Sequence, residues 1–211
     1  MKKRVFFLLC TLGLTAMTFA VHAATEASKM KKTIGIVPVG GQISVSELEF
    51  LVQPLRETFS ASVSFGSGIP LPAHAYNRER RQYLSNIVLD MLNSRVSAPQ
   101  GGRVLAVTNE DLYVPDLNFV FGQADASTGI AIISLARLRP EFFGKPPDEP
   151  LFHQRAITEA VHEIGHTMGL IEHCPDSKCV MFFSNSLADT DIKGHRFCIK
   201  CRRVLGIEQL E

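Results

Sequence analysis

Neither sign of charge dominates this chain of 211 residues: 22 lysines and arginines face 21 aspartates and glutamates. That balance excludes the broad basic footprint on which nucleic-acid binding depends. There is no internal repeat and no low-complexity tract, so solenoids and long disordered arms are excluded as well. Cysteine is scarce, with five in the whole chain. An uninterrupted apolar run of about 20 residues, the length of a membrane-spanning helix, is also missing. The nearest approach is residues 5–21, which include Thr11, Thr15 and Thr18.

That run has another use. Lys2, Lys3 and Arg4 precede it, and the small residues Ala23 and Ala24 follow it. The pattern is that of a secretory signal over residues 1–23, with a retained anchor as the alternative. It implies a periplasmic or secreted protein with no stable membrane insertion once the signal is cleaved. The segment removes three basic residues and no acidic one, leaving 19 against 21 and a net charge of −2. Residues 24–31 are a polar, flexible leader. Residues 32–211 are long enough for one domain with its own core.

The chemistry is concentrated in His162-Glu163-Ile164-Gly165-His166, with Gly169, His173 and Cys174 after it. Histidines four apart lie one turn apart on one helical face, so both imidazoles can hold one metal ion. Glu163 points about 100° away around the helix. It is placed to act as a general base toward a water activated at the metal, not as a third ligand. Gly169 can adopt the left-handed conformation that ends a helix. The chain then turns back and offers His173 as a third donor.

A helical HExxH, a glycine, a third histidine and a later methionine resemble the plan of the metzincin metallopeptidases. The continuation through Cys174, Cys179, Met181, Cys198 and Cys201 resembles the archaemetzincin branch of that clan. Residues 111–122 also look like this family, less diagnostically. The resemblance implies a metzincin-like α/β (α+β) fold: a mixed twisted sheet, an active-site helix and a smaller, loop-rich C-terminal part. It implies a zinc-dependent peptidase acting on peptides or proteins. The charge balance leaves no nucleic-acid partner to expect, and the chain is expected to act as a monomer. It also implies a Met-turn at Met181 beneath the metal, and an edge strand near residues 130–134 that pairs with substrate. One departure stands out. Three residues, Leu170, Ile171 and Glu172, separate Gly169 from His173 where the family pattern has two. Glu172 therefore occupies the formal ligand position. Carboxylate is a sound zinc ligand, but the imidazole type and the His173-Cys174 junction favour His173.

Cys174, Cys179, Cys198 and Cys201 are spaced as C-x4-C and C-x2-C, which suits a closed tetrahedral zinc site. Disulfides are the alternative, and export makes them a real one. The resemblance implies a structural zinc, hence two ions per chain. Two other functions are open to the same residues. A non-catalytic zinc-binding module would have no use for a base at Glu163. A nucleic-acid-binding zinc ribbon would draw on Lys193, Arg196, Lys200, Arg202 and Arg203, against the net negative charge.

Hydrophobic periodicity predicts strands over residues 33–39, 61–65, 103–108, 119–122 and 130–134. It predicts helices over 44–59, with a Ser44/Glu47 capping box and a break at Pro54, and over 76–92. The metal-binding helix is expected over residues 151–169, after a proline-rich loop at 140–150.

Overall fold

The computed structural model describes residues 32–41 and 43–207. The signal read over residues 1–23 and the leader at 24–31 lie outside the described residues. From Lys32 onward, β1 (Thr33–Val39) follows its β-branched run. A 3-10 turn over Ser46–Leu51 leads into α1 (Val52–Phe59). The expected capping pair forms: Ser44 donates its backbone N–H to Glu47 Oε2 at 2.8 Å. The break falls before Pro54 rather than at it. The proline ring excludes an α-helical carbonyl four residues earlier, at Phe50, so the α-helix starts at Val52 and Pro54 occupies its first turn.

After β2 (Ser62–Phe65) comes the largest disagreement with expectation. Residues 76–84 are not helical. They form a hairpin, β3 (Tyr76–Asn77) with β4 (Gln82–Leu84), and α2 runs only over Ser85–Arg95. The Asn77 side chain accepts from the N–H groups of Glu79 and Arg80, at 3.0 and 3.1 Å, and builds the turn. Asn side chains compete with helical hydrogen bonds in this way. Buried Gln82 then spends its amide on Asp111 and the Asn118 carbonyl, both at 2.9 Å.

The remaining strands are β5 (Arg103–Thr108), β6 (Leu112–Tyr113), β7 (Gly122–Asp125) and β8 (Ile130–Ser134). The helices α3 (Glu149–Thr167), α4 (Leu187–Lys193) and α5 (Ile199–Leu205) complete the chain. The main sheet has the order β2-β1-β5-β8-β7. Its pairings are parallel except the last, where β7 runs antiparallel to β8. A small sheet, β3-β4-β6, stands apart.

Alternation along the strands splits the core in two. Ile34, Ile36, Leu105, Val107, Ala131 and Ile133 pack toward α1 and α3. Val37, Val39, Val104, Ala106, Ile130 and Ile132 pack toward α2. With both faces covered, β8 is buried along its whole length, which is why it reads as a continuous apolar run. The fold is the expected mixed α/β arrangement, with a sheet half followed by short helices and loops.

Candidate active site

The metal-binding helix α3 begins two residues before the expected start. Asp148 caps it, accepting from the Leu151 N–H at 3.0 Å, and Pro150 sits in the first turn, where no donor is needed. The helix ends where Gly169 takes φ +103°, and Leu170 N–H returns to the Gly165 carbonyl at 3.2 Å. Chain reversal places the Leu170 carbonyl 2.6 Å from His166 Nδ1. A second carbonyl, Val180, lies 2.7 Å from His162 Nδ1.

These two contacts decide the state of both rings. A carbonyl only accepts, so each Nδ1 carries the proton and each Nε2 is left with a lone pair. Yet the two Nε2 atoms face each other at 3.1 Å. Two lone pairs at that distance repel unless a cation lies between them. Tetrahedral zinc with nitrogen ligands would hold them about 3.3 Å apart. The donor set therefore fits a divalent metal. The inserted residue after Gly169 is taken up in the loop: Ile171 and Glu172 are exposed, and the His173 ring stands 5.5 and 5.1 Å from those of His162 and His166. The metal-capable atoms of the three histidines lie within 4.8 Å of one another. Glu172 is not part of that group. Burial holds all three imidazoles below their ordinary protonation range, with Lys193 contributing at each.

Glu163 is buried beside them, and β7 fixes where it stands. A Cβ on Gly122 would lie 2.6 Å from Glu163 Cγ and Oε1. Gly122 does not need an unusual backbone, so in Gly122→Ala the strain falls on the Glu163 side chain, which must move. The expected outcome is a loss of roughly 10- to 100-fold in kcat, with a melting temperature close to wild type. Unchanged kcat would show that Glu163 is not held by this strand. On the far side of the helix, Gly165 plays the same part for Met181. A Cβ there would meet Met181 Sδ at 2.6 Å, so the fully buried methionine packs between the turns that carry His162 and His166.

Burial pushes the Glu163 carboxyl up to about 8, with Glu159 adding to the rise and Lys193 opposing it. A folded pKa above the unfolded one gives stability that is full below the unfolded value, about 4.3, and is lost as pH rises through the folded value. Metal-free wild type therefore loses ground to metal-free Glu163→Gln between about pH 4.5 and 8. Melting temperatures of the two proteins should diverge in the variant's favour across that window; a pH-independent difference would contradict the assignment.

The cysteines form a second cluster, Cys174 with Cys198 and Cys179 with Cys201, each pair at Sγ–Sγ 3.7 Å. A disulfide needs about 2.05 Å. Four thiolates around tetrahedral zinc would stand about 3.8 Å apart. All four sulfurs lie within 4.8 Å of one another.

Two site expectations need correction. The strand at 130–134 is not an edge: β8 lies between β5 and β7. The edge is β7, which reads as Gly-Gln-Ala-Asp and begins where the strand expected at 119–122 ends. Phe119 and Phe121 drew the assignment upstream, but their rings pack edge to face at 5.0 Å outside the ladder. Lys193, grouped above in the basic cluster that a nucleic-acid-binding zinc ribbon would use, is buried and so is not available to one. Sequence reasoning missed it, along with Glu159, Gly122 and the carbonyls of Leu170 and Val180.

His162, Glu163, His166 and His173 all line one cleft of about 840 Å³, whose wall includes the whole of β7. A chain laid along that open strand edge passes the floor that carries the three imidazoles and the buried carboxyl. This defines a class, a metallopeptidase with its base and two metal donors on one helix.

The comparisons agree. Peptidase family M54 matches residues 68–206. The archaemetzincin of Pyrococcus furiosus is 44% identical over 181 residues, 83% of this chain and 93% of that protein. The crystal structure of archaemetzincin from Methanopyrus kandleri superposes with a TM-score of 0.73 at 38% identity, covering 85% of this chain and 96% of that one. A zinc-dependent peptidase from Methanocorpusculum labreanum gives a TM-score of 0.72 at 30% identity, over 81% and 99% of the two chains. The chain belongs to peptidase family M54, the archaemetzincins.

Proposed function

We propose that this member is an exported, monomeric zinc-dependent peptidase, its catalytic ion held by His162, His166 and His173 and a structural ion by Cys174, Cys179, Cys198 and Cys201. The observation that carries the proposal is the pair of Nε2 lone pairs facing each other at 3.1 Å beside a buried carboxyl. When bound, catalytic zinc supplies a Lewis acid that polarises the scissile carbonyl and acidifies the attacking water.

The chain's own groups do the rest. A cation beside Glu163 favours its ionised form despite burial. The carboxylate, backed by Gly122, accepts a proton from the attacking water and passes it to the leaving amine. The open edge of β7 offers main-chain donors and acceptors to an extended peptide. Phe183 and Ile171 line the cleft beside His173, and Asn86, Asp90 and Asp125 line its polar wall.

The third donor gives the test. His173→Ala should lose the catalytic zinc and the activity on a peptide library, while Glu172→Ala should be nearly silent. The reverse pattern would assign the site to Glu172. Export rests on Lys2-Lys3-Arg4, the apolar run and the small residues at 23 and 24. N-terminal sequencing of the natural product should begin near Ala24; an intact Met1 on a cytoplasmic protein would refute it. Each candidate donor set is complete within one chain, so the reading needs no partner subunit, and light scattering that gave a dimer mass would count against a monomer.

A further inference from the structure

Lys193 is the last residue of α4, a helix of seven residues, and its side chain is 0% exposed. Its ammonium lies 3.2 Å from Glu159 Oε1, in a carboxylate that is itself 3% exposed. Thr190, one turn back, donates its hydroxyl to the same oxygen at 3.0 Å. Asp191 receives a two-pronged bond from Arg155, at 2.7 and 2.8 Å. These contacts grip one stripe of α3 at Arg155 and Glu159, one turn apart, and His162 follows on the same stripe at i+7.

The ammonium has a further partner. It donates to the Phe182 carbonyl at 3.3 Å and stands 3.3 Å from His162 Nδ1. Nδ1 already donates to Val180, so that last approach is charge against ring and not a hydrogen bond. The result at Met181 is unusual. Three successive carbonyls are each held by a different part of the site: Val180 by His162, Met181 by the Cys174 N–H at 2.9 Å, and Phe182 by Lys193.

Burying an ion pair is costly, and apolar replacements of similar size are often as stable or more so. The location of this pair is what gives it a use. A lone cation against His162 would oppose a dication on the other ring nitrogen. Glu159 cancels that charge, so Lys193 can hold the turn without repelling the metal. The geometry points to Lys193 and Glu159, which line the back of the cleft paired to each other, as positioning residues for His162 and the Met181 turn. This rests on the reading of the three histidines as the catalytic zinc site.

The test uses full-length mature protein loaded with zinc. Lys193→Met keeps the stem and removes the ammonium. The double variant Glu159→Met/Lys193→Met removes both charges, so no unpaired buried charge is left to unfold the protein. Zinc per chain is followed during titration with a chelator at pH 7, and kcat and KM are measured at saturating zinc. Wild type should release two zinc ions in separate steps. In both variants the histidine-site step should weaken by about 10- to 100-fold, the usual loss when the group behind a metal-bound histidine is removed. The cysteine-site step should not move, and kcat should fall while KM stays within about twofold. A double variant with wild-type zinc affinity and wild-type kcat overturns the assignment, even if the single variant fails to fold. A wild type that takes up no zinc at the histidines overturns the metal reading itself, and the two failures are told apart by the wild-type titration alone.

Discussion

Glu163→Gln should fold, keep its zinc and lose at least about 100-fold in turnover, the lower end for removing a general base. The substitution is nearly isosteric, so the contact with Gly122 and the packing against β7 survive. The carboxamide cannot take a proton from water at neutral pH, and among the described residues of the cleft no other carboxylate stands beside the histidines unpaired. Among the titratable groups lining the cleft, Glu159 is committed to Lys193 and Thr190, and the three histidines would be occupied as zinc donors on the proposed reading. Asp90 is on α2, and Asp125, at the opposite end of β7 from Gly122, is engaged by Asn93 and Ser127. Glu163 is also outside the group of metal-capable imidazoles, so zinc content should not fall. Peptidase activity near wild type in a variant that binds zinc would remove Glu163 from the mechanism.

The part of the site that is local in sequence was legible, and the part that is not local was hidden. His162, Glu163 and His166 are related by helical geometry alone, and Val161 and Ile164 are buried as their periodicity implies. Likewise β1, β5 and β8 match their apolar runs residue for residue, because strands buried on both faces leave no ambiguity of alternation. The edge strand β7 was displaced by a few residues because its polar sequence suits a cleft wall and not a core. Lys193 illustrates the harder case. Its partners are 31 and 34 residues away, and a lysine in a basic stretch reads as surface until those partners are known. One signal was present. Ser186 and Asp189 form a capping box that marks the start of α4, and that helix sets Thr190, Asp191 and Lys193 against α3. Glu159 gave another, as a carboxylate on the apolar stripe between Ala156 and Ala160.

Removing the second zinc should have the largest effect on folding. Apparent binding energies of structural zinc reach about 10–16 kcal/mol, against about 5–15 kcal/mol for the stability of a whole domain. Bound to zinc, the four cysteines would tie together residues 174–205, whose two helices have only seven residues each. Without metal the site works against itself. Burial pushes the Cys179 thiol up to about 11 and the Cys201 thiol up as well, so at neutral pH both are protonated and neither repays the cost of its burial through a metal bond. The damage should also reach the histidines. Cys174 follows His173 directly and holds the Met181 carbonyl, and the Val180 carbonyl beside it orients His162. Cys179→Ser or Cys201→Ser should therefore lose both zinc ions, together with the melting transition of the C-terminal part. Wild type should carry close to two zinc ions per chain and release four titratable thiols when chelated in denaturant. One zinc and no titratable thiols would establish disulfides instead, and with them a C-terminal half braced by covalent bonds in place of a metal.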